Sequence, residues 1–188
     1  MPRWKPGSRE RLIESALELF TERGLADTSV VDISARAGVT TRTFFRYFPD
    51  KREVLFADAE TLRSTLVQKM VEARDVGEPL LSVVDVLSSF DWAAAGRDRH
   101  RRRQAVLAAN PEIAERELAK NDELADAIAE VLHGRGVDAE SALLAARVGV
   151  AVFRFAYDVW LAGDDRRDLT TITEGVLARL GSMLPDRP

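Results

Sequence analysis

The sequence predicts an all-α protein of about nine helices. Three observations carry that expectation. Apolar residues recur at helical spacing in one segment after another, and period-two alternation never lasts more than a few residues. The breaks between segments fall on glycine, proline and capping residues in the order that helices use them. The chain holds 188 residues, 46% hydrophobic and 31% charged, which suits one or two small domains with a sizeable core and excludes a disordered chain.

The elements follow in order. Ser8 is placed to cap a first helix in which Leu12, Ile13, Ala16, Leu17, Leu19 and Phe20 share one face, and Gly24 ends it. Ser29 and Asp32 read as a capping box opening a short helix through Ala37. Gly38 and Val39 make a tight turn. Thr40 then caps another short helix, which must stop before Pro49 because the residue preceding a proline is pushed out of helical geometry. Asp50 and Glu53 read as a second capping box, opening a longer helix toward Arg74. Gly77 to Pro79 breaks the chain, and Pro79 suits a first helical turn. A helix rich in Leu and Val runs to Phe90. Gly96 precedes the segment RDRHRRRQAVLAA. Asn110 and Pro111 start a helix reaching about Leu132. Gly134 and Gly136 interrupt, Asp138 caps a strongly apolar helix to about Leu161, and a last helix runs from about Asp168 to Leu184.

Composition closes off several functions. The absence of cysteine excludes a disulfide scaffold, a thiol nucleophile and a thiolate metal site. Two histidines, His100 and His133, leave little for a metal centre, and no metal or cofactor is expected. There is no glycine-rich phosphate loop and no nucleophile beside a histidine, so an enzyme is not expected. The opening MPRWKPGSRE has no apolar run, and the longest apolar stretch, 142–162, carries Arg147, Arg154 and Asp158. Neither a signal peptide nor a membrane helix is expected, and the reading is a soluble, cytoplasmic chain.

Net charge is −4 overall, but it is unevenly spread. The first 55 residues carry ten Lys and Arg against eight Asp and Glu; the remainder carry seventeen against twenty-three. A basic head on an acidic body is the sign expected of a nucleic-acid reader. Within that head, residues 24–53 read GLADTSVVDISARAGVTTRTFFRYFPDKRE. The pattern is helix, glycine turn, helix, each helix too short to stand alone. Ile33, Ala37, Val39, Phe44 and Phe48 can pack the pair against the first helix. That leaves Thr41, Arg42, Thr43, Phe45, Arg46 and Tyr47 outward. Guanidinium can pair with guanine edges in the major groove, and hydroxyls can bond phosphate.

The run from Thr28 through Leu55 resembles the DNA-binding domain of the TetR family of bacterial repressors. The likeness lies in the threonine-led helix, the Ala-Gly-Val turn, the Thr-aromatic recognition helix, and the Tyr-Phe pair followed by a turn and lysine. It implies an N-terminal three-helix helix-turn-helix domain over 8–68 and a C-terminal effector-binding and dimerisation domain over 69–188. It implies base-edge or groove contacts from Thr41, Arg42, Arg46 and Tyr47. Phosphate contacts would come from Thr43 and Lys51, with Thr28, Ser29 and Thr40 near the DNA backbone. Many members carry tyrosine where this chain has Phe45, so a hydroxyl is missing there; the phenyl ring could pack on sugar or on a thymine methyl. Arg3 and Lys5 lie ahead of the first helix, where some members reach the minor groove.

The same resemblance implies a homodimer and a small-molecule effector. The last two helices are apolar on more than one side. The dimer interface is expected from Ala145, Val148, Val152, Phe155, Trp160, Val176, Leu180 and Met183, with Ala145, Ala146 and Gly149 small enough for close approach. Pocket residues are expected from Phe90, Trp92, Arg103, Leu107, Leu124, Ile128, Phe153 and Tyr157. The arginines from 97 to 103 read in three ways: a solvated face, partners for acidic residues near the head, or an anion site for an effector such as an acyl-CoA. The segment ANPEIAERELAKNDELADAIAEVL is similar to C-terminal domains of actinobacterial TetR regulators related to the mycofactocin regulator. Together these readings describe a ligand-responsive repressor on palindromic operator DNA. The alternative is an all-helical interaction module with no sequence-specific DNA binding.

Overall fold

A computed structural model describes residues 7–163 and 167–183, and every regular element among them is helical. In order they are α1 (Ser8–Arg23), α2 (Val30–Arg36), α3 (Thr41–Tyr47), a 3-10 turn (Arg52–Phe56), α4 (Ala59–Glu72), α5 (Pro79–Ser88), α6 (Arg97–Ala108), α7 (Pro111–Gly134), α8 (Ala139–Ala162) and α9 (Leu169–Ser182). Arg3 and Lys5 lie outside the described residues.

Most of the punctuation acts as the sequence suggests. Ser29 and Asp32 close a reciprocal capping box on α2. Thr40, Asp138 and Asp168 each accept the third backbone N–H of α3, α8 and α9 respectively. Gly38, in the turn between α2 and α3, has φ of 65°, a left-handed conformation that a side chain would resist.

Two starts differ from the sequence expectation. The cap of α1 is Gly7, which has no side chain to offer, and Ser8 lies inside the first turn. The helix expected from Asp50 to Arg74 is broken into the 3-10 turn and α4. Asp50 does accept the N–H groups of Arg52 and Glu53, at 2.7 and 3.1 Å. The Glu53 carboxylate, however, pairs with Arg116 rather than returning to Asp50. Two carbonyls that a continuous helix would bond internally are also taken by guanidiniums. Arg103 Nε donates to Leu55 at 2.7 Å, and Arg9 donates to Ala57 at 2.5 Å. Distant arginines thus supply an alternative to the i→i+4 ladder that no local pattern could reveal.

The contacts divide the chain into two compact units, Met1–Glu60 with Ala95–Glu117, and Thr61–Ala94 with Leu118–Pro188. Where the sequence suggests one boundary, after residue 68, the units interleave. In the first, α1, α2 and α3 enclose Leu12, Leu17, Ile33 and Phe44, all at most 2% exposed. α6 closes the same core with Val106 and Leu107. Arg11 Nε donates to the Ala37 carbonyl at 3.0 Å, placing a cation at the C-terminus of α2.

The second unit packs α5, α8 and α9 around Leu66, Met70, Val83, Ile128, Leu132 and Ala146. Ala145, Ala146 and Gly149, where the sequence suggests a close approach of two copies, all face this packing within the chain itself. A Cβ on Gly149 would lie 2.6 Å from Cγ1 of Val83 on α5. No helix among the described residues is long and apolar enough to cross a membrane.

Candidate nucleic-acid interface

α3 is seven residues long and is held from beneath. Phe44 is completely buried, and the Phe44 and Phe48 rings meet at 5.5 Å. With those two positions turned inward, the helical repeat sends Thr41, Arg42, Phe45 and Arg46 outward over about 140° of surface. All four are exposed, as is Tyr47. Thr40, Arg42, Thr43, Phe45 and Arg46 line a single open concavity.

The electrostatics of this face set it apart within its unit. Arg9, Arg23, Arg36, Arg52, Arg99, Arg101, Arg102, Arg103 and Arg116 each have a carboxylate within 4.0 Å. Among the described residues Arg42 and Arg46 pair with none. Arg46 instead donates to the Tyr47 hydroxyl at 3.0 Å and lies over that ring at 4.8 Å. Both guanidiniums therefore present positive charge, with donors still open, to whatever α3 faces.

The hydroxyls of Thr40 and Thr43 bond each other at 3.0 Å, and Thr40 also caps the helix. Ser29 is exposed and its oxygen is engaged with Asp32. That bonding, with Arg23 beside it, holds the Asp32 carboxyl below the usual aspartate range. Thr28 is turned inward: it is 1% exposed and its hydroxyl donates to the Gly24 carbonyl at 2.8 Å. Lys51 also points into the protein. Its ammonium donates to the carbonyls of Leu25, Ala26 and Thr28 at 2.7, 3.0 and 2.8 Å, which uses all three of its protons. Thr28 and Lys51 thus fix the loop between α1 and α2.

The residues expected to form an effector pocket separate into two groups. Phe90, Trp92, Leu124, Ile128, Phe153 and Tyr157 belong to the second unit. Trp92 stands among the rings of Phe90, Phe153 and Tyr157 at 5.0, 5.0 and 5.6 Å, and its indole N–H bonds the Leu87 carbonyl at 2.7 Å. Ile128 is completely buried. Arg103 and Leu107 lie in the first unit. Leu107 is in that unit's core, and Arg103 forks onto Glu117 with bonds of 3.2 and 2.6 Å.

Its neighbours in the arginine run are also engaged there. Arg102 bonds Glu14 at 2.8 Å, and Arg99 lies 3.3 Å from Glu14 and 3.6 Å from Asp58. These acidic partners sit 41 to 88 positions from their arginines or on the next helix, and only the fold reveals them.

Of the residues expected at a dimer interface, Ala145, Val152 and Trp160 are buried in their own unit, and Val148, Val176 and Leu180 are half-buried. Phe155 and Met183 are 54% and 70% exposed. Leu144, which the sequence reading passed over, is 63% exposed. Its position four residues before Val148 and eleven before Phe155 puts it on their stripe.

The comparisons agree in both halves of the chain. The pattern of the bacterial regulatory proteins of the tetR family matches residues 12–57, and that of the MftR C-terminal domain matches residues 82–185. MftR of Mycobacterium tuberculosis is 32% identical over 104 residues, covering 52% of this chain and 50% of that protein. YvdT of Bacillus subtilis is likewise matched over about half its length, 45%, at 31% identity and over 46% of this chain. The transcriptional regulator TcmR of Streptomyces glaucescens is 27% identical over 95% of this chain and 84% of its own. The solved structure of NalD, a repressor of a multidrug efflux pump in Pseudomonas aeruginosa, superposes with a TM-score of 0.62 at 21% identity, covering 96% of this chain and 98% of that one.

Proposed function

This chain belongs to the TetR family of bacterial regulatory proteins, with an MftR-type C-terminal domain, and we propose that it is a ligand-responsive repressor that reads a palindromic operator as a homodimer. The observation that carries the reading is the face of α3. It offers two arginines without carboxylate partners, in a unit whose other arginines are nearly all compensated. A charge left uncompensated on a helix of a net-negative protein suits a polyanion. Arg42 and Arg46 are then the donors to guanine edges in the major groove, Thr41 and Tyr47 stand beside them at the groove, and Thr43 bonds a flanking phosphate. Ser29 and Thr40 keep their capping roles close to the same backbone.

Two copies are needed to read a palindrome. The exposed stripe of Leu144, Ala151 and Phe155 on α8, together with exposed Met183 after α9, supports pairing with a second copy. Phe155→Glu is expected to convert the dimer to a monomer in sedimentation experiments and to abolish binding to a two-half-site duplex. The effector is a small, mainly apolar molecule held in the second unit around Phe90, Trp92, Phe153 and Tyr157. An acyl-CoA phosphate on the run from Arg97 to Arg103 is not supported, because most of that run is already paired with carboxylates. The effector acts by favouring the arrangement whose two α3 helices no longer match adjacent major grooves. The chain works in the cytoplasm, beside the DNA.

The test is selection of bound duplexes from a random library, with and without a panel of hydrophobic compounds. An enriched palindrome that one compound releases is the expected result. A folded, dimeric protein that enriches no sequence would sink the proposal.

A further inference from the structure

We propose that Phe45 is a specificity-determining residue that reads the 5-methyl group of a thymine in each operator half-site. The inference rests on the DNA-binding reading above and deepens it. Phe45 is 57% exposed, whereas Phe44 on the same helix and Phe48 at its C-cap are turned inward. Its ring meets buried Phe44 edge-on, with centroids 5.5 Å apart at 83°. The contact holds the ring while more than half of the residue stays exposed. Phe45 lines the same open concavity as Arg42 and Arg46.

The occupant of that concavity must satisfy two demands together. It must be anionic, because both guanidiniums lack carboxylate partners among the described residues. It must also offer an apolar group to a ring set among those charges. Duplex DNA meets both demands in the major groove, where thymine is the base that projects a methyl group. The helical register places Phe45 between Thr41 and Arg42, inside the outward arc rather than at its margin. Its reach is therefore toward the groove floor that Arg42 and Arg46 address, not toward the sugars at the groove edge. A phenyl ring also reads without competing for the phosphate that a tyrosine hydroxyl would seek.

The experiment uses the full chain and its selected operator. Each thymine is replaced in turn by deoxyuridine, which removes the methyl group and keeps every hydrogen bond. One position per half-site is expected to weaken binding by about fourfold, the worth of one buried methyl carbon. Phe45→Ala should bind more weakly and be indifferent to deoxyuridine at that position alone. Phe45→Leu, which keeps an apolar group of similar reach, should retain part of the discrimination. Equal sensitivity of wild type and Phe45→Ala at every thymine would overturn the proposal and leave Phe45 packing on sugar. Because the ring is exposed, melting temperatures of both variants should match wild type. If wild type prefers no duplex at all, it is the DNA-reading proposal that has failed; a selected palindrome with no methyl-sensitive position removes this inference alone.

Discussion

Two arginine-rich helices lie in the same compact unit and have opposite electrostatic fates. α6 opens with Arg97, Arg99, Arg101, Arg102 and Arg103, and most of this charge is spent inside the unit on Glu14, Asp58, Asp98 and Glu117. α3 has only Arg42 and Arg46, and neither meets a carboxylate among the described residues. The denser run is thus structural and the sparser pair is the exposed cationic face. What distinguishes an interface from a brace is compensation, not the number of like charges, since a partly buried ion pair offers little field to a ligand.

The largest expected effect sharpens that contrast. Arg46→Ala or Arg42→Ala should cost about 1–3 kcal/mol of preference for the selected operator, with little change in melting temperature. Arg102→Ala should leave operator preference intact. Fluorescence anisotropy on operator and scrambled duplexes, at two salt concentrations, measures both. An Arg102 variant that lost as much preference as the Arg46 variant would erase the distinction between the helices.

Next in size is Arg103→Ala. It removes the fork onto Glu117 and the bond to the Leu55 carbonyl. The side chain is only 24% exposed, so the loss should be about 1–2 kcal/mol of stability in denaturant titrations. The variant also frees a carbonyl that interrupts the ladder between the 3-10 turn and α4. Unchanged stability would mean that the bonds of Arg103 to Glu117 and to the Leu55 carbonyl do not help to hold α6 in place.

The contrast also explains what could be read in advance. The helix count, the capping box at Ser29, the caps at Thr40, Asp138 and Asp168, and the inward Phe44 and Phe48 are local. Residues one to four positions apart determine them, so sequence suffices. The break before α4 and the pairing of the arginine run depend on partners such as Arg9 and Glu14, tens of residues away, and Glu117, fourteen residues on. Gly149 is a similar case. Its missing side chain looks like an invitation to a second helix, and only the 2.6 Å approach to Val83 shows which helix accepted it. Thr28 and Lys51 look like phosphate ligands because hydroxyl and ammonium groups are suited to that task. Carbonyls of the α1–α2 loop make an equal demand on the same donors.

Lys51→Ala tests that last point. Loss of three carbonyl bonds should lower stability by about 1 kcal/mol, while the salt dependence of DNA binding stays as in wild type. A direct phosphate contact would instead reduce the salt slope by about one unit and spare the melting temperature.

The smallest effect concerns acid, and it separates the two units. The carboxyls of Asp32, Asp138 and Asp168 are all held below the usual range by cap hydrogen bonds, from Ser29 in the first case and from Ser141 and Thr171 in the others. A carboxyl whose folded pKa is depressed contributes stability that is complete above its unfolded value. That contribution is lost as pH falls from about 4 through the lower folded value. Both units should therefore weaken on acidification in that window, and neither should respond through these groups between neutral pH and about 5. Ser29→Ala removes the leading cause of the Asp32 shift. It should cost about 1 kcal/mol at neutral pH and flatten the acid loss of the first unit, leaving that of the second unchanged. Hydrogen exchange at acid and neutral pH, read separately on α2 and on α8, follows the two responses. If the Ser29 variant changed the acid response of α8 as much as that of α2, the carboxyl caps would not be acting as local, independent contributions to the two units.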